Sequence, residues 1–469
     1  MIVTGIVSAV AVLQVAAFYC AWRAVTSART PQGAVGWVVF LLSAPYIGVL
    51  LYLFLGHHRY RGYLISRRTS ERVIDGVRQL GAANAPEAPP RVDPAPFERI
   101  ADLPVVRGNA LVPLIDGLAT FDAIFAAIDA AEHYVLIQFF IVHDDRIGRG
   151  FRDRLTAAAE RGVTVRFMAD AVGSKSLPGS YREALRRAGV KVADPTAGKG
   201  PRNRFQINFR NHRKTVVVDG KVGFTGGLNV GDEYMGRDPR FGPWRDTHLE
   251  MRGPVVAQLQ LIFAEDWHWA SGEALGEQVD WKAARADEDT AALLVPTGPG
   301  DSMETGALFF FSAIAAARER IWIASPYCVP DTDILTALKH AALAGRDVRL
   351  LLPEMIDHHI PWLAAFAYFD ELREAGVQIW RYQRGFMHQK VVLIDDACAA
   401  IGTTNLDNRS FRLNFEAMVM GFDDDFAATV ASFLEEDFAH ATLLDKPLAE
   451  QAVRVRYGAP VARLFAPLL

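Results

Sequence analysis

Two stretches of this chain carry the same side chains at the same intervals, and any fold must accommodate both. The first, RNHRKTVVVDGKVGFTGGLN (210–229), holds His212, Lys214, Asp219 and Asn229. The second, MHQKVVLIDDACAAIGTTN (387–405), holds His388, Lys390, Asp395 and Asn405 in matching register. Thr215 to Val218 are β-branched, which suits a half-buried strand. Side chains alternate along a strand, so His212 and Lys214 point the same way. Asp219-Gly220 reads as a hairpin turn, and Val222 to Thr225 as the returning strand. Gly226-Gly227 lets backbone approach an anion, and Asn229 adds an amide donor. One such pattern is compatible with chance; two at equal spacing are not.

The surroundings repeat as well. Residues 126–142, 151–170 and 181–192 each read as a helix running into an apolar strand, and residues 312–329, 334–353 and 368–380 follow in the same order. Gly162, Gly189, Gly345 and Gly376 stand where helices end, as C-terminal capping predicts. Helices alternating with continuous apolar strands predict an α/β fold: two tandem α/β/α sandwich domains with mainly parallel or mixed sheets. Packed about a pseudo-twofold axis, they bring both histidine motifs into one site.

That pairing suits phosphodiester chemistry. A neutral histidine can attack phosphorus and a protonated one can give a proton to the leaving alkoxide. Lys214 and Lys390 supply fixed positive charge, and Asn229 and Asn405 neutral donors. No metal or other cofactor is required. Each histidine needs a partner for its second ring nitrogen, and Asp246 and Glu416 lie downstream of the two motifs. Asp219 and Asp395 belong to the motifs but read mainly as structural, bonding turn backbone. Arg409 and Ser410 follow the second motif closely, and Arg409 is a candidate phosphate ligand.

Hydrophobic residues make up 51% of the chain, and part of that excess is concentrated at the start. Met1 to Trp22 and Pro31 to Gly56 carry no charged side chain. Each run is about as long as the roughly 20 residues that span a bilayer. They predict two transmembrane helices, the second kinked at Pro45. A cleaved signal peptide is the rival reading of the first run, but the second would still anchor the chain. His57, His58, Arg59, Arg61, Arg67, Arg68 and Arg72 follow the second run, against Arg23 and Arg29 between the two. The positive-inside rule then puts both termini in the cytoplasm. Residues 81–96, rich in Ala and Pro, read as an extended linker. The division expected is 1–60 membrane hairpin, 61–98 basic segment and linker, 99–285 first domain and 286–469 second domain.

A net charge of −4 opposes bulk nucleic-acid binding. Cys20, Cys328 and Cys398 lack metal-ligand spacing and read as small buried apolar groups. Residues 198–211 read as a membrane-surface loop or equally as a solvated one. EDWHW (265–269) and His358-His359 read as packing or membrane contact. Asp232-Glu233 suggests a metal, but no ligand cluster accompanies it.

The paired H-x-K-x-x-x-x-D motifs, each followed by G-[GT]-x-N, resemble the phospholipase D superfamily from about residue 100 to 440. The stretch from Phe209 to Val256, the run GTTNLDNRSFRLNFE and the Pro45 to Gly48 segment resemble bacterial cardiolipin synthases. This resemblance implies an inner-membrane enzyme that acts on phosphatidylglycerol among anionic lipids; the basic residues put its catalytic domains on the cytoplasmic side. It would transfer a phosphatidyl group from one phosphatidylglycerol to another through a phosphohistidine, giving cardiolipin and glycerol. It also implies that Asp246 and Glu416 orient the histidines. His212 is taken as nucleophile and His388 as proton carrier, although the symmetric spacing allows the reverse. Gln138 departs from the family pattern, where a glutamate is expected; the departure bears on a headgroup contact. The rivals are a membrane-anchored phospholipase D that makes phosphatidic acid, a nuclease, which would need a basic groove, and a scaffold with a decayed site, which the intact motifs oppose.

Overall fold

The apolar runs that follow the amphipathic helices become strands of one mixed sheet. The computed structural model describes residues 2–27, 31–56, 71–194 and 209–469. In the first half the strands are β1 (Val106–Ile115), β2 (Tyr134–Phe139), β3 (Thr164–Ala169), β4 (Lys191–Ala193), β5 (Thr215–Val218), β6 (Val222–Gly226) and β7 (Thr247–Arg252). In the second they are β8 (Thr290–Thr297), β9 (Arg320–Ala324), β10 (Asp347–Pro353), β11 (Gln378–Tyr382), β12 (Val391–Ile394), β13 (Cys398–Gly402), β14 (Asn414–Phe422) and β15 (Ala441–Leu443).

Outward from the centre the first half runs β1-β7-β6-β5-β2-β3-β4, and the second runs β8-β14-β13-β12-β9-β10-β11 with β15 beyond. The repeat seen in the sequence is therefore a repeat of topology. β1 and β8 meet antiparallel, as a twofold relation between the halves requires. Buried Asn109 ties this seam: Nδ2 donates to Val106 O (2.7 Å) and Thr290 O (2.9 Å), while Oδ1 accepts from Val255 N (2.8 Å). The predicted sandwiches share one continuous sheet.

Both faces of the inner strands are covered, which explains their unbroken apolar runs. Val135 and Ile137 pack with Phe121, Ile124, Phe151 and Leu155 of the helices Asp116–Asp129 and Arg146–Glu160. Leu136, between them, packs on the opposite face with Leu259 and Phe263 of the helix Val255–Ser271. The four predicted capping glycines have φ of 93, 90, 85 and 102° in chain order, closing the helices before β3, β4, β10 and β11. Cys20, Cys328 and Cys398 are buried thiols.

The N-terminal helices belong to a separate compact unit. Within the helix Ile2–Ser27, Val7–Ser27 is long and apolar enough to cross a bilayer. Ala17, Ala21 and Ala24 are buried with Leu41 and Tyr52, small residues that let helices approach closely. Val12, Val15, Phe18 and Trp22 face outward. The second apolar run is not one continuous helix. It is split into Pro31–Ser43 and Pro45–Leu55, neither of spanning length by itself. The break is at Ala44, with φ −137° and ψ 63°, because a residue before proline is pushed out of the helical region.

The linker is also shorter than expected. A helix covers Glu71–Ala83 and another begins at Ala95. The basic cluster from His57 to Arg68 and the segment 198–208 lie outside the described residues.

Candidate active site

Two short parallel ladders carry each histidine motif across to the other half. Arg210 and Asn211 pair with Asn414 and Phe415 of β14, and His212 N donates to Phe415 O (3.0 Å). Phe386 and Met387 pair with Trp244 and Arg245, and His388 N donates to Arg245 O (2.8 Å). Each histidine thus lands beside the acid that follows in the other half. His212 Nδ1 lies 2.9 Å from Glu416 Oε2, and His388 Nδ1 lies 2.9 Å from Asp246 Oδ2. A nitrogen bonded to a carboxylate carries the hydrogen, so the Nε2 lone pairs are the reactive ones. Each acid is held in turn. Asn414 Nδ2 donates to Glu416 Oε1 (3.1 Å), and Trp244 Nε1 donates to Asp246 Oδ2 (3.3 Å).

The lysines sit behind the rings. Lys214 Nζ donates to His212 O (2.7 Å), and Lys390 Nζ donates to His388 O (2.5 Å) and lies 2.9 Å from Nδ1 and 3.0 Å from Nε2 of His388. His212 Nε2 makes no hydrogen bond among the described residues. Phe140 packs edge-on to His212 at 5.0 Å between ring centroids, and Trp244 and Phe386 flank His388 at 5.4 and 5.9 Å.

Burial dominates the electrostatics. It pushes His212 down to about 4, with Glu416 opposing and the lysines adding to the effect. Burial, then Lys390 and Lys214, holds His388 well below its usual value. The charge of each lysine reaches the histidine of the other motif. Burial also lowers Lys214 to about 7 and Lys390 to about 8. It raises Asp246. At Glu416, burial is outweighed by His212 and Lys214, so this carboxyl stays low. Burial thus disfavours the charged forms of both histidines and both lysines, and an anionic phosphodiester would favour their protonated forms.

The motif aspartates stand at the far ends of their strands from the histidines. Asp219 accepts from the N–H groups of Glu132, His133 and Tyr134 at 2.8–2.9 Å. Asp395 accepts from Arg318, Glu319 and Arg320. They fix the entry to the neighbouring strand, β2 or β9, and not their own turn as expected. Asn229 bonds inside the protein, accepting from Ile141 N (3.1 Å) and reaching the Tyr234 hydroxyl (3.4 Å). Asn405 Oδ1 and Thr404 Oγ1 are buried with no partner among the described residues, so polar atoms remain for a ligand. Arg409 is tied through its N–H to Leu469 O (2.6 Å) and through Nη1 to Leu468 O (3.3 Å).

Gln138 is not at a surface where headgroups pass. It is buried, and its amide donates to Asp266 Oδ2 (2.9 Å). Asp266 also pairs with Arg213 Nη1 (3.0 Å) and accepts from Asn211 Nδ2 (2.8 Å). Arg213 Nε donates to Glu416 O (3.1 Å). In the other half Asp437 takes Nε and Nη2 of Arg245 and Nε2 of Gln389, each at 2.7 Å. The residue between histidine and lysine therefore points backward to a buried carboxylate. Sequence reasoning missed both carboxylates, although Glu265-Asp266-Trp267 and Glu436-Asp437-Phe438 repeat one pattern. Asp232 accepts from Arg146 N (3.1 Å) and Ile147 N (3.3 Å), and Glu233 lies 3.6 Å from His143.

The chain is similar to known proteins. The family described as "Cardiolipin synthase, PLD-like domain" matches residues 124–267 and 310–438, and the "Phospholipase_D-nuclease N-terminal" family matches residues 15–57. The chain is 45% identical to Cardiolipin synthase A of Pseudomonas fluorescens over 471 residues, 98% of each chain. It is 45% identical to Cardiolipin synthase A of Pseudomonas aeruginosa over 476 residues, 97% of this chain and 95% of that one. Among solved structures, phosphatidylserine synthase of Haemophilus influenzae superposes with a TM-score of 0.59 at 12% identity, covering 80% of this chain and 99% of that one. That likeness is one of fold.

Proposed function

The chain belongs to the bacterial cardiolipin synthases of the phospholipase D superfamily, and on that premise we propose how its residues carry out the reaction. The enzyme transfers a phosphatidyl group between two phosphatidylglycerol molecules. The crossed pairs His212–Glu416 and His388–Asp246, each at 2.9 Å, carry the reading. They leave two Nε2 atoms as nucleophile and proton carrier, and both halves are needed to make either.

His212 is the nucleophile. Its low basicity keeps it neutral, and its Nε2 makes no hydrogen bond among the described residues, whereas the Lys390 ammonium lies against the His388 ring, 2.9 Å from Nδ1 and 3.0 Å from Nε2. Nε2 of His212 attacks phosphorus, the P–O bond to the headgroup glycerol breaks, and His388 gives its proton to the departing alkoxide. The phosphodiester anion supports that protonated state by opposing the lysine charges. A glycerol hydroxyl of a second phosphatidylglycerol then returns its proton to His388 and attacks phosphorus, releasing His212. Lys214 and Lys390 hold the phosphoryl oxygens, and Asn405 Oδ1, which has no partner among the described residues, is an acceptor for a glycerol hydroxyl. Asp219 and Asp395 shape the strands that carry the motifs.

The chain is membrane-associated. The finer reading keeps both apolar runs as spans, the second kinked at Pro45, with both termini and domains 99–285 and 286–469 in the cytoplasm. Purified protein given phosphatidylglycerol in mixed micelles is expected to yield cardiolipin and glycerol in equal amounts. His212→Ala should abolish this, and His388→Ala should accumulate labelled phosphohistidine. Phosphatidic acid as the main product would make water the acceptor. A label on His388 in the His212→Ala protein would reverse the two roles.

A further inference from the structure

The helix Val453–Arg463 has two apolar faces, and the core explains only one. Val455, Ala459, Ala462 and Ala466 follow helical spacing and are buried in the core beside the helix His359–Glu374. Val453, Tyr457, Val461, Leu464 and Leu468 recur at intervals of three or four on the opposite side. Their exposures are 75, 64, 58, 78 and 37%. Scattered exposed apolar residues are ordinary, but a contiguous row marks a docking surface.

The charge beside this row selects the occupant. Residues 453–469 contain Arg454, Arg456 and Arg463 and no acid, in a chain of net charge −4. Arg463 is engaged by Ala367 O, Glu371 and the Tyr368 ring. Arg454 and Arg456 are exposed, and the Arg456 guanidinium lies 5.5 Å from the centre of the Tyr457 ring. A second copy of the same face would set arginine against arginine. A bilayer with anionic headgroups satisfies both the apolar row and its cationic edge. The turn after the helix is joined to the catalytic region, because Leu468 O and Leu469 O accept from Arg409, close behind Asn405.

We propose that the helix Val453–Arg463 and the turn through Leu468 form an interfacial docking face for an anionic lipid surface. Val453, Tyr457, Val461, Leu464 and Leu468 enter the headgroup–acyl boundary, and Arg454 and Arg456 meet lipid phosphates. The face holds the second-motif region against the surface from which lipid substrate is drawn. Only the choice of phosphatidylglycerol as the anionic lipid rests on the proposed reaction.

The test uses the full chain with Leu464→Cys carrying an environment-sensitive fluorophore. The native Cys20, Cys328 and Cys398 are buried, so labelling is selective. A His212→Ala background makes the readout independent of turnover. In vesicles containing phosphatidylglycerol the emission should shift to the blue and be quenched by spin-labelled lipid. Arg454→Gln with Arg456→Gln should remove the preference over phosphatidylcholine vesicles. A label that stays water-exposed and iodide-quenched in phosphatidylglycerol vesicles overturns the proposal. So does a blue shift that needs protein concentration and no lipid, which would mean a second copy. In the active protein, Leu464→Ser with Val453→Ser should raise KM for vesicle phosphatidylglycerol about tenfold. Turnover of a monomeric short-chain analogue should not change; equal KM on vesicles overturns the proposal. Failure of wild-type protein to make cardiolipin would leave the fluorescence result intact, so the two readings fail separately.

Discussion

At the scale of single residues, the acids that grip the histidines matter most. Glu416→Gln keeps the shape of the side chain but offers an amide in place of the charged acceptor at Nδ1, and can fix the wrong tautomer. We expect kcat to fall on the order of 10²- to 10⁴-fold with little change in KM, as for other histidines deprived of an orienting carboxylate. A variant with near-normal kcat would show that Glu416 does not serve His212. The lysines set the pH dependence. Burial lowers Lys214 to about 7 and Lys390 to about 8 in the free protein. Their positive charge is present below those values and lost as pH rises through them. Since kcat/KM reports groups of the free enzyme, it should decline on the alkaline side from about pH 7 to 8. A profile flat to about pH 9 would rule out this role. The histidines and lysines were legible in the sequence because they repeat at equal spacing. Asp266 and Asp437 repeat too, but they sit in two separate helices, Val255–Ser271 and Asp424–Ala439, and the aromatic EDWHW around Asp266 reads as packing or membrane contact. Nothing in one dimension showed that Arg213 and Gln389 turn back toward them.

At the scale of elements, the paired hairpins depend on the aspartates at their turns. Asp219 and Asp395 adopt φ of 53 and 52°, a conformation that favours Gly, Asn and Asp. Each carboxylate also gathers three N–H groups at the entry to the next strand. Asp395→Ala loses both features and should destabilise the protein by about 3 kcal/mol. Thermal unfolding would read that loss, while kcat per folded molecule should stay near normal. Loss of kcat with an unchanged Tm would instead make Asp395 catalytic. Helix ends at four glycines and strands at apolar runs were foreseen, because local chemistry decides them. The break at Ala44 was foreseen only as a kink, since the pull of a proline on its predecessor competes with helix continuation.

At the scale of the whole molecule, the order of elements foretold two like halves, but not one sheet running through both. That continuity rests on the β1–β8 seam, whose pairing is set by Asn109 and by contacts remote in sequence. The membrane reading belongs to this scale as well. With two spans and both termini inside, Ser27→Cys should react with a membrane-impermeant maleimide on intact cells. Protection there, with labelling only after lysis, would contradict the hairpin. The crossed pairs carry a last consequence. Duplicated genes often keep one copy as a spare, free to drift while the other works. Here each copy lends its carboxylate to the histidine of its twin, so there is no spare. Loss of either repeat removes one histidine and the carboxylate partner of the other, so the repeats can only persist, or fail, together.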